Sequence, residues 1–219
     1  MEISWYGYAC FRLKERGIAI VTDPYDESLG YRVPRLRADV VTVSHPHPTH
    51  NNVTAVRGRR KVFDSPGEYE VQGVFITGIA TYHDRKQGQE RGRNTVFLFD
   101  FDGITVCHLG SLGHPLSQAQ TELLSDVSVL LVPVGGGSTL NAAGAAEVIS
   151  QIEPRIVIPM RYRTPGLKVR LDPVTRFLKE MGLPEEMEPL PSLTINDRTL
   201  PEETQVVLLE PILSQGDED

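Results

Sequence analysis

The stretch TVSHPHPTHNN, residues 42–52, places three histidines within six residues directly after an apolar run. Its two prolines push the residues before them, His45 and His47, toward extended conformations. In an extended segment residues i and i+2 point to the same side, so both imidazoles can face one point. Imidazole is the usual neutral ligand for zinc and related ions. With His50 following, the stretch predicts half of a metal site, although Thr49 stands where such a site usually has a carboxylate. A histidine-rich surface loop without metal is the alternative.

Composition places the chain among soluble globular proteins and argues against several partners. It has 219 residues, of which 40% are hydrophobic and 23% charged. The net charge of −7 gives no overall basic field to collect nucleic acid or acidic lipid. No apolar run approaches the roughly 20 residues of a membrane span, and the N-terminus lacks the pattern of a signal peptide. Two cysteines fit buried thiols in a reducing compartment. We therefore expect a cytoplasmic protein with neither nucleic acid nor a membrane as partner.

The order of apolar runs and turn residues predicts one α/β domain over residues 1–212, followed by an acidic tail, 213–219, that we expect to be disordered. Short apolar runs that end in turn residues predict buried strands, and these runs are GIAIVTDP (17–24), ADVVTVSHP (38–46), DVSVLLVPVGGG (126–137), RIVIPMRY (155–162) and TQVVLLEPI (204–212). A longer strand is predicted over 69–84 with bends at its two glycines, and a hairpin over 94–110 turning at Asp102-Gly103.

Helices are predicted in the second half of the chain from their capping residues. Ser117 begins one helix, Thr139 or Asn141 begins a second, and Asp172 begins a third with proline at its first position. Pro154 ends the second helix and Gly182 follows the third.

Two further histidine stretches follow predicted strands. The stretch TYHD places His83 beside Asp84, whose carboxylate can orient a histidine ring. The stretch HLGSLGH, residues 108–114, holds His108 and His114. Lone histidines often have structural roles, and both a structural and a functional role stay open for these last two.

Taken in this order, five stretches resemble the metallo-β-lactamase superfamily, in particular its small bacterial Zn-dependent hydrolases akin to ascorbate-6-phosphate lactonase. The stretches are HPHPTH (45–50), PGEYEVQGVFITGIATYHD (66–84), HLGSLGH (108–114), PVGGGST (133–139) and IPMRY (158–162). The match runs from about residue 2 to about residue 180. The resemblance implies an α/β fold, namely a four-layer αβ/βα sandwich of two mixed β-sheets with helices on the outer faces and the site at the edge of both sheets.

The resemblance also implies a two-metal site. His45, His47 and His83 would hold the first ion, and His50 the second, with carboxylates at positions 49 and 111 and a histidine at 161. This chain has instead Thr49, Ser111 and Arg161. A guanidinium about 6 Å from a divalent ion costs about 5 kcal/mol at an effective dielectric near 20. We therefore expect the second site of this degenerate centre to be empty.

These features predict a hydrolase with at most one divalent ion that acts on an anionic small molecule, such as a lactone or a phosphorylated compound. Zinc is the expected ion, and manganese and iron are alternatives because three imidazoles suit each of these metals. A site without metal is the remaining alternative. Asp84 and Arg161 are the candidates for catalytic roles, the latter by pairing with a substrate oxygen. Thr49, Ser111, His108 and His114 are expected around the metal or substrate.

Basic residues near the motifs agree with an anionic substrate; these are Arg85, Lys86, Arg91, Arg93 and Arg163. The main alternative is a catalytically impaired member of the superfamily that binds a ligand or partner. A nuclease is a third reading, against which the net charge stands. The sequence leaves open whether the chain forms a homo-oligomer.

Overall fold

Two mixed β-sheets make up the body of the protein, as the sequence predicts. The computed structural model describes residues 1–58 and 60–213. The first sheet has six strands in the order β12-β1-β2-β3-β4-β5, antiparallel from β12 to β3 and parallel from β3 to β5. Its strands are β1 (Glu2–Trp5), β2 (Phe11–Glu15), β3 (Ile18–Thr22), β4 (Val40–Thr42), β5 (Lys61–Phe63) and β12 (Leu193–Thr194).

The second sheet has seven strands in the order β13-β11-β10-β9-β8-β7-β6. The strands from β13 to β9 run parallel, and those from β9 to β6 run antiparallel. Its strands are β6 (Gly67–Val71), β7 (Val74–Tyr82), β8 (Arg93–Asp100), β9 (Thr105–His108), β10 (Val129–Pro133), β11 (Ile156–Met160) and β13 (Gln205–Val206). Because β7 and β9 are both antiparallel to β8, the carboxyl ends of β7, β9, β10 and β11 lie at one edge of this sheet.

Three α-helices lie in the second half of the described residues. They are α1 (Gln118–Leu123), α2 (Ala142–Ile152) and α3 (Val174–Glu180). Ser117 caps α1 with a full capping box, and Asn141 caps α2, so both predicted starts are confirmed. Between β1 and β5 the described residues form only two short 3₁₀ helices, Glu27–Leu29 and Val53–Ala55. The sandwich therefore has fewer helices on this side than the resemblance led us to expect.

Two local predictions were wrong. The run 69–84 is not one bent strand: β6 and β7 form a hairpin that turns at Gln72 and Gly73, both at positive φ. Asp172 does not cap α3; Pro173 occupies the N-cap position, and the Asp172 carboxylate pairs with Arg176 at 2.6 Å. The hairpin of β8 and β9 is confirmed, with Asp102 and Gly103 at positive φ.

The core is built from rows of apolar side chains that lie opposite one another across the strands. In the first sheet one such row joins Leu193, Ile3, Leu13, Ile20 and Val40, all of them buried. Residues directly opposite share a face of the sheet. This row therefore gives the first sheet an apolar face and fixes its strand register.

Residues 214–219 of the predicted acidic tail lie outside the described part of the chain. The expected disorder of the tail therefore stays a prediction. Within residues 1–58 and 60–213, no helix combines the length and apolar character that a membrane crossing requires.

Truncating the centre of this row should destabilise the protein. Leu13 is fully buried, whereas Leu123 on α1 is 59% exposed. We expect Leu13→Ala to lower the free energy of unfolding by about 2–5 kcal/mol, through lost burial and the cavity left behind. The matched change Leu123→Ala should alter it by no more than about 0.5 kcal/mol. Urea denaturation of both variants measures the difference, and equal losses would contradict the assigned core.

Candidate functional site

The polar side chains of the site, most of which the sequence singles out, gather where strands of both sheets end. Asp23 follows β3 and His45 lies shortly after β4, while His83 follows β7. Ser111 lies after β9 and Arg161 comes directly after β11. Loops at the carboxyl ends of strands are the usual place for functional groups, because the sheet fixes the base of each loop.

Glycine allows the two sheets to meet closely at this edge. Gly110, at φ +58°, follows β9, and a Cβ added there would lie 2.4 Å from the Cβ of Ser44 in the loop after β4. No side chain fits at this distance. The loop that carries Ser111 can therefore approach the loop of His45 only because residue 110 is glycine.

Four histidines form one group, which we call the histidine cluster: His45, His47, His50 and His83. The ring of His45 lies 4.2 Å from that of His50, 4.8 Å from that of His83 and 5.9 Å from that of His47, centroid to centroid. The loop reaches this geometry differently from the expected extended segment. The N–H of His47 donates to the His45 carbonyl at 2.9 Å, so a tight turn at Pro46 joins the two histidines.

Arg161 lies inside this group and not at the surface. Its side chain is only 2% exposed. Its Nη1 donates to His50 Nε2 at 2.9 Å and also to Ser111 Oγ, and its Nη2 donates to Ser138 Oγ at 3.3 Å. Its Cζ atom lies 4.4 Å from the centre of the Tyr8 ring, a cation–π geometry.

The backbone directs Arg161 inward. Arg161 is in the left-handed region at φ 53°, directly after the fully buried end of β11. Its N–H donates to the Tyr8 carbonyl at 3.2 Å. The opposite side of the turn touches the loop after β10, where a Cβ on Gly135 would lie 2.1 Å from the Arg161 carbonyl oxygen. A side chain at position 135 would therefore displace the arginine.

The positive charge of Arg161 is not paired with a carboxylate in the described residues, where it forms no ion pair. Asp23 Oδ2 lies 3.9 Å from His50 Nε2, the same nitrogen that accepts the hydrogen bond from Arg161. Burial raises the pKa of Asp23 to about 7, against the lowering effects of its two hydrogen bonds from Ser44 and of Arg161. A buried cation thus faces, at a distance, a carboxyl group that is only partly ionised at neutral pH.

Hydrogen bonds pass from Arg161 through the cluster in a fixed direction. Guanidinium only donates, so His50 Nε2 accepts and its proton sits on Nδ1. Nδ1 lies 2.8 Å from Thr49 Oγ1 and donates to it; Thr49 Oγ1 in turn lies 2.8 Å from His47 Nδ1 and donates there. On the other side of the guanidinium, Ser138 accepts a hydrogen bond from Arg161. The hydroxyl of Ser138 lies 3.3 Å from His83 Nε2. The guanidinium is therefore linked to three of the four histidines.

Burial and positive charge keep three histidines of the cluster neutral. Burial first, and then neighbouring His83 and Arg161, lower the pKa of His45 to about 3. Burial and Arg161 lower that of His83 to about 4, and the same two causes hold the pKa of His50 well below its usual value. Neutral imidazole is the form that binds a metal ion.

The position of the implied second metal does not fit an ion in this chain. The Arg161 guanidinium already uses the lone pair of His50 Nε2, and Thr49 and Ser111 supply hydroxyls in place of carboxylates. A divalent ion placed here would meet a fixed positive charge and a single imidazole already hydrogen-bonded.

The first position fits an ion by its donor types but is not closed around one. His45 has a free lone pair on Nε2, because its Nδ1 lies 3.1 Å from the Ser44 hydroxyl and donates to it. Nδ1 of His47 and Nε2 of His83 instead contact the hydroxyls of Thr49 and Ser138. Across residues 1–58 and 60–213, no group of three or more histidine, cysteine, aspartate or glutamate side chains is arranged to hold a metal ion.

Asp84 has a structural use in the described loop. Its buried carboxylate accepts the backbone N–H groups of Lys86, Gly88, Glu90 and Arg91 at 2.7–3.2 Å. Burial would raise its pKa, but these four bonds outweigh it, and the pKa lies below the ordinary value. The carboxylate thus holds the loop that follows His83, and its catalytic role stays a prediction.

His108 and His114 both lie outside the cluster. His108 is fully buried, donates from Nε2 to the Ala9 carbonyl at 3.0 Å and packs edge-on against Phe11. His114 accepts the Tyr82 N–H on Nε2 at 3.1 Å and donates from Nδ1 to the Pro115 carbonyl at 2.6 Å. In this structure both histidines connect backbone segments, which agrees with the structural role left open above.

Sequence reasoning missed four residues that complete the site: Tyr8, Asp23, Ser44 and Ser138. Asp23 could have been found, because it follows the apolar run IAIVT at the same kind of strand end as the histidines. Tyr8 has no such signal, since its contact with Arg161 joins residues far apart in the chain.

Comparison with known proteins agrees with this fold. A family model described as a β-lactamase superfamily domain matches residues 2–161. The UPF0173 protein of Pyrococcus furiosus is 33% identical over 181 residues, which cover 75% of this chain and 84% of the relative. The UPF0173 metal-dependent hydrolase of Thermoplasma acidophilum is 28% identical over 200 residues, covering 79% and 88%.

A solved structure is similar over nearly the whole chain. It is a protein of Thermotoga maritima, described as a candidate Zn-dependent hydrolase of the metallo-β-lactamase superfamily. It is 42% identical, covers 95% of this chain and 97% of its own, and superposes with a TM-score of 0.78.

The lowered histidine pKa values predict a pH dependence of stability. An unfolded histidine binds its proton near pH 6.5, whereas His45, His83 and His108 bind theirs near pH 3 to 4 in the fold. Between pH 6.5 and 4 the unfolded chain therefore binds more protons at these positions, and the free energy of unfolding falls as the pH falls. Asp23, with its raised pKa, acts in the opposite direction but is a single group.

Chemical denaturation of metal-free protein from pH 7 to 4.5 measures this slope. His108→Gln should make the slope shallower by up to about 1.4 kcal/mol per pH unit, the value for one proton. Stability that is constant or rises toward pH 4.5 would contradict the assigned protonation states.

Proposed function

The chain belongs to the metallo-β-lactamase superfamily, and we propose that it is a metal-dependent hydrolase that works with at most one metal ion on an anionic small molecule. The observation that carries the proposal is the hydrogen bond from Arg161 to His50 in the place of the second ion. The family match and the hydrolase names of two relatives support the reaction class.

The ion would be held by His45, His47 and His83, and zinc is the metal expected for three neutral imidazoles, with manganese and iron as alternatives. When bound, such an ion would make a nucleophile available at neutral pH by lowering the pKa of water to about 7. To bind it, His47 and His83 must exchange hydrogen bonds from Thr49 and Ser138 for metal bonds. Both hydroxyls remain beside the site as hydrogen-bonding groups for substrate.

An anionic substrate agrees with the charge of the site. Arg161 supplies a positive charge that no carboxylate in the described residues pairs with directly, and a low-dielectric surrounding strengthens its field. Its burial and its bonds to His50, Ser111 and Ser138 leave it acting through this field and not by direct contact with substrate. The loop fixed by Asp84 adds Arg91, whose charge contributes to lowering the pKa of His83.

A second candidate function is a ligand-binding protein without catalysis. Two observations favour it. In the described residues no three donors are arranged to hold an ion, and the hydroxyl of Thr49 is hydrogen-bonded to His47 Nδ1, the nitrogen that would have to bind the metal. In this case the charge of Arg161 would attract an anionic ligand into the cleft, and no hydrolysis would follow.

Metal stoichiometry separates these functions. Protein purified without added metal and then supplied with zinc should hold about one ion per chain by elemental analysis. The triple change Thr49→Asp, Ser111→Asp and Arg161→His restores the implied second ligand set, and should raise the content toward two. Arg161→Met alone removes the charge without adding ligands, and should leave the content near one.

Two ions in the unaltered protein would contradict the proposal, and no ion under any condition would favour the binding protein. Assays with lactone and phosphodiester model substrates then test hydrolysis. Activity that follows zinc content supports the first function, and a zinc-bound protein that is inactive on every anionic substrate would contradict it.

A further inference from the structure

A second charged feature lies at the opposite edge of the first sheet from the histidine cluster. The cluster follows the carboxyl end of β4, whereas a recess of about 470 Å³ opens beside the amino ends of β3 and β4. We call it the basic recess. The residues that line it are Arg12, Ala19, Arg35, Arg37, Ala38, Asp39 and Gly58. It shares no residue with the histidine cluster.

Positive charges are held side by side at this recess. Arg37 and Arg57 are partners in a parallel bridge, in which Ala38 N–H donates to the Arg57 carbonyl at 3.1 Å and Arg57 N–H to the Leu36 carbonyl at 2.8 Å. Both arginines are exposed. Like charges directly opposite one another on neighbouring strands repel. The backbone therefore brings two cations close together, an arrangement that a bound negative group would stabilise.

The protein itself supplies little negative charge here. Among the described residues, none of the five arginines at or beside the recess forms an ion pair; these are Arg12, Arg35, Arg37, Arg57 and Arg60. Asp39 is the one acid in the lining, and its Oδ2 already accepts the Ala19 N–H at 2.9 Å. In a chain with a net charge of −7, this is a local excess of cations.

Two of these arginines also have hydrogen-bonding capacity to spare. The Nε atoms of Arg12 and Arg60 are buried and have no hydrogen-bond partner. A buried donor without a partner destabilises the fold, and an acceptor bound where the arginine side chain turns to present its Nε would remove that cost. Charge and missing acceptors thus point to the same kind of ligand.

We propose that the basic recess binds an anion with two or more phosphoryl groups. The planar fork of guanidinium matches phosphate oxygens in a bidentate manner. The five arginines at or beside the recess outnumber Asp39, the one acid of its lining, by four, whereas a single phosphate carries about two negative charges, so the recess suits a chain of phosphates. The described lining contains no aromatic side chain on which a base could stack, so recognition rests on the phosphates themselves. The proposal is independent of the hydrolase function proposed above.

Calorimetric titration with inorganic triphosphate tests the proposal, using metal-free full-length protein at low salt. We expect one triphosphate per chain, with an affinity that falls as salt is added, because exposed charges are screened. The double change Arg35→Glu and Arg37→Glu concerns two exposed side chains, and should weaken binding at least tenfold. The matched double change Lys179→Glu and Arg198→Glu alters the net charge equally at distant exposed positions, and should change the affinity less than twofold.

Three results would overturn the proposal. The first is no binding of triphosphate by the unaltered protein up to millimolar concentration. The second is equal weakening by the two double changes, which would show a response to net charge only. The third is undiminished binding after reversal of Arg35 and Arg37, which would place the ligand elsewhere, for example at the histidine cluster. Circular dichroism of each variant verifies that it is folded.

Discussion

The hydrogen bond between the guanidinium of Arg161 and Nε2 of His50 is the contact on which the rest of the site depends. Because guanidinium cannot give up its charge, it fixes which nitrogen of His50 carries the proton, and through Thr49 it fixes His47 as well. Through Ser138 it reaches His83. A permanent side-chain cation thus links loops from both sheets at the place where the implied second ion of the superfamily would lie. The side chain cannot dissociate, so this linkage does not depend on metal supply.

A charge buried in this way has to be stabilised, and the structure shows how. Desolvation of a guanidinium is costly unless hydrogen bonds and nearby charge offset it. Arg161 has the face of Tyr8, three side-chain acceptors and the more distant Asp23, while its Nε stays without a partner. The desolvation cost of the guanidinium is therefore only partly offset, and the site keeps a positive electrostatic potential. That potential disfavours a second cation and favours an anion, which is why both candidate functions involve a negatively charged ligand.

Much of the fold and of the site could be predicted because the signals are local. The Asp102-Gly103 turn, the caps at Ser117 and Asn141, and the apolar runs depend on neighbours in the chain, and the structure confirms them. The three substitutions at the second metal position were visible because the family resemblance assigns a role to each position. Part of what the sequence could not show depends on long-range geometry, because the burial of Arg161 against Tyr8 follows from how loops of the two sheets meet. The link from Thr49 to His47 and the tight turn at Pro46 are local, but the residue pattern does not distinguish this turn from an extended segment. The turn at Gln72-Gly73 was missed because apolar residues continue on both sides of it.

We propose that Arg161 occupies the place of a second ion and leaves room for one ion at most. A crystal structure of protein soaked with excess zinc, with anomalous data collected at the zinc edge, tests it most directly. We expect no more than one anomalous peak, among His45, His47 and His83, with the guanidinium of Arg161 still within hydrogen-bonding distance of His50. Two peaks side by side, with Arg161 turned away from His50, would contradict it.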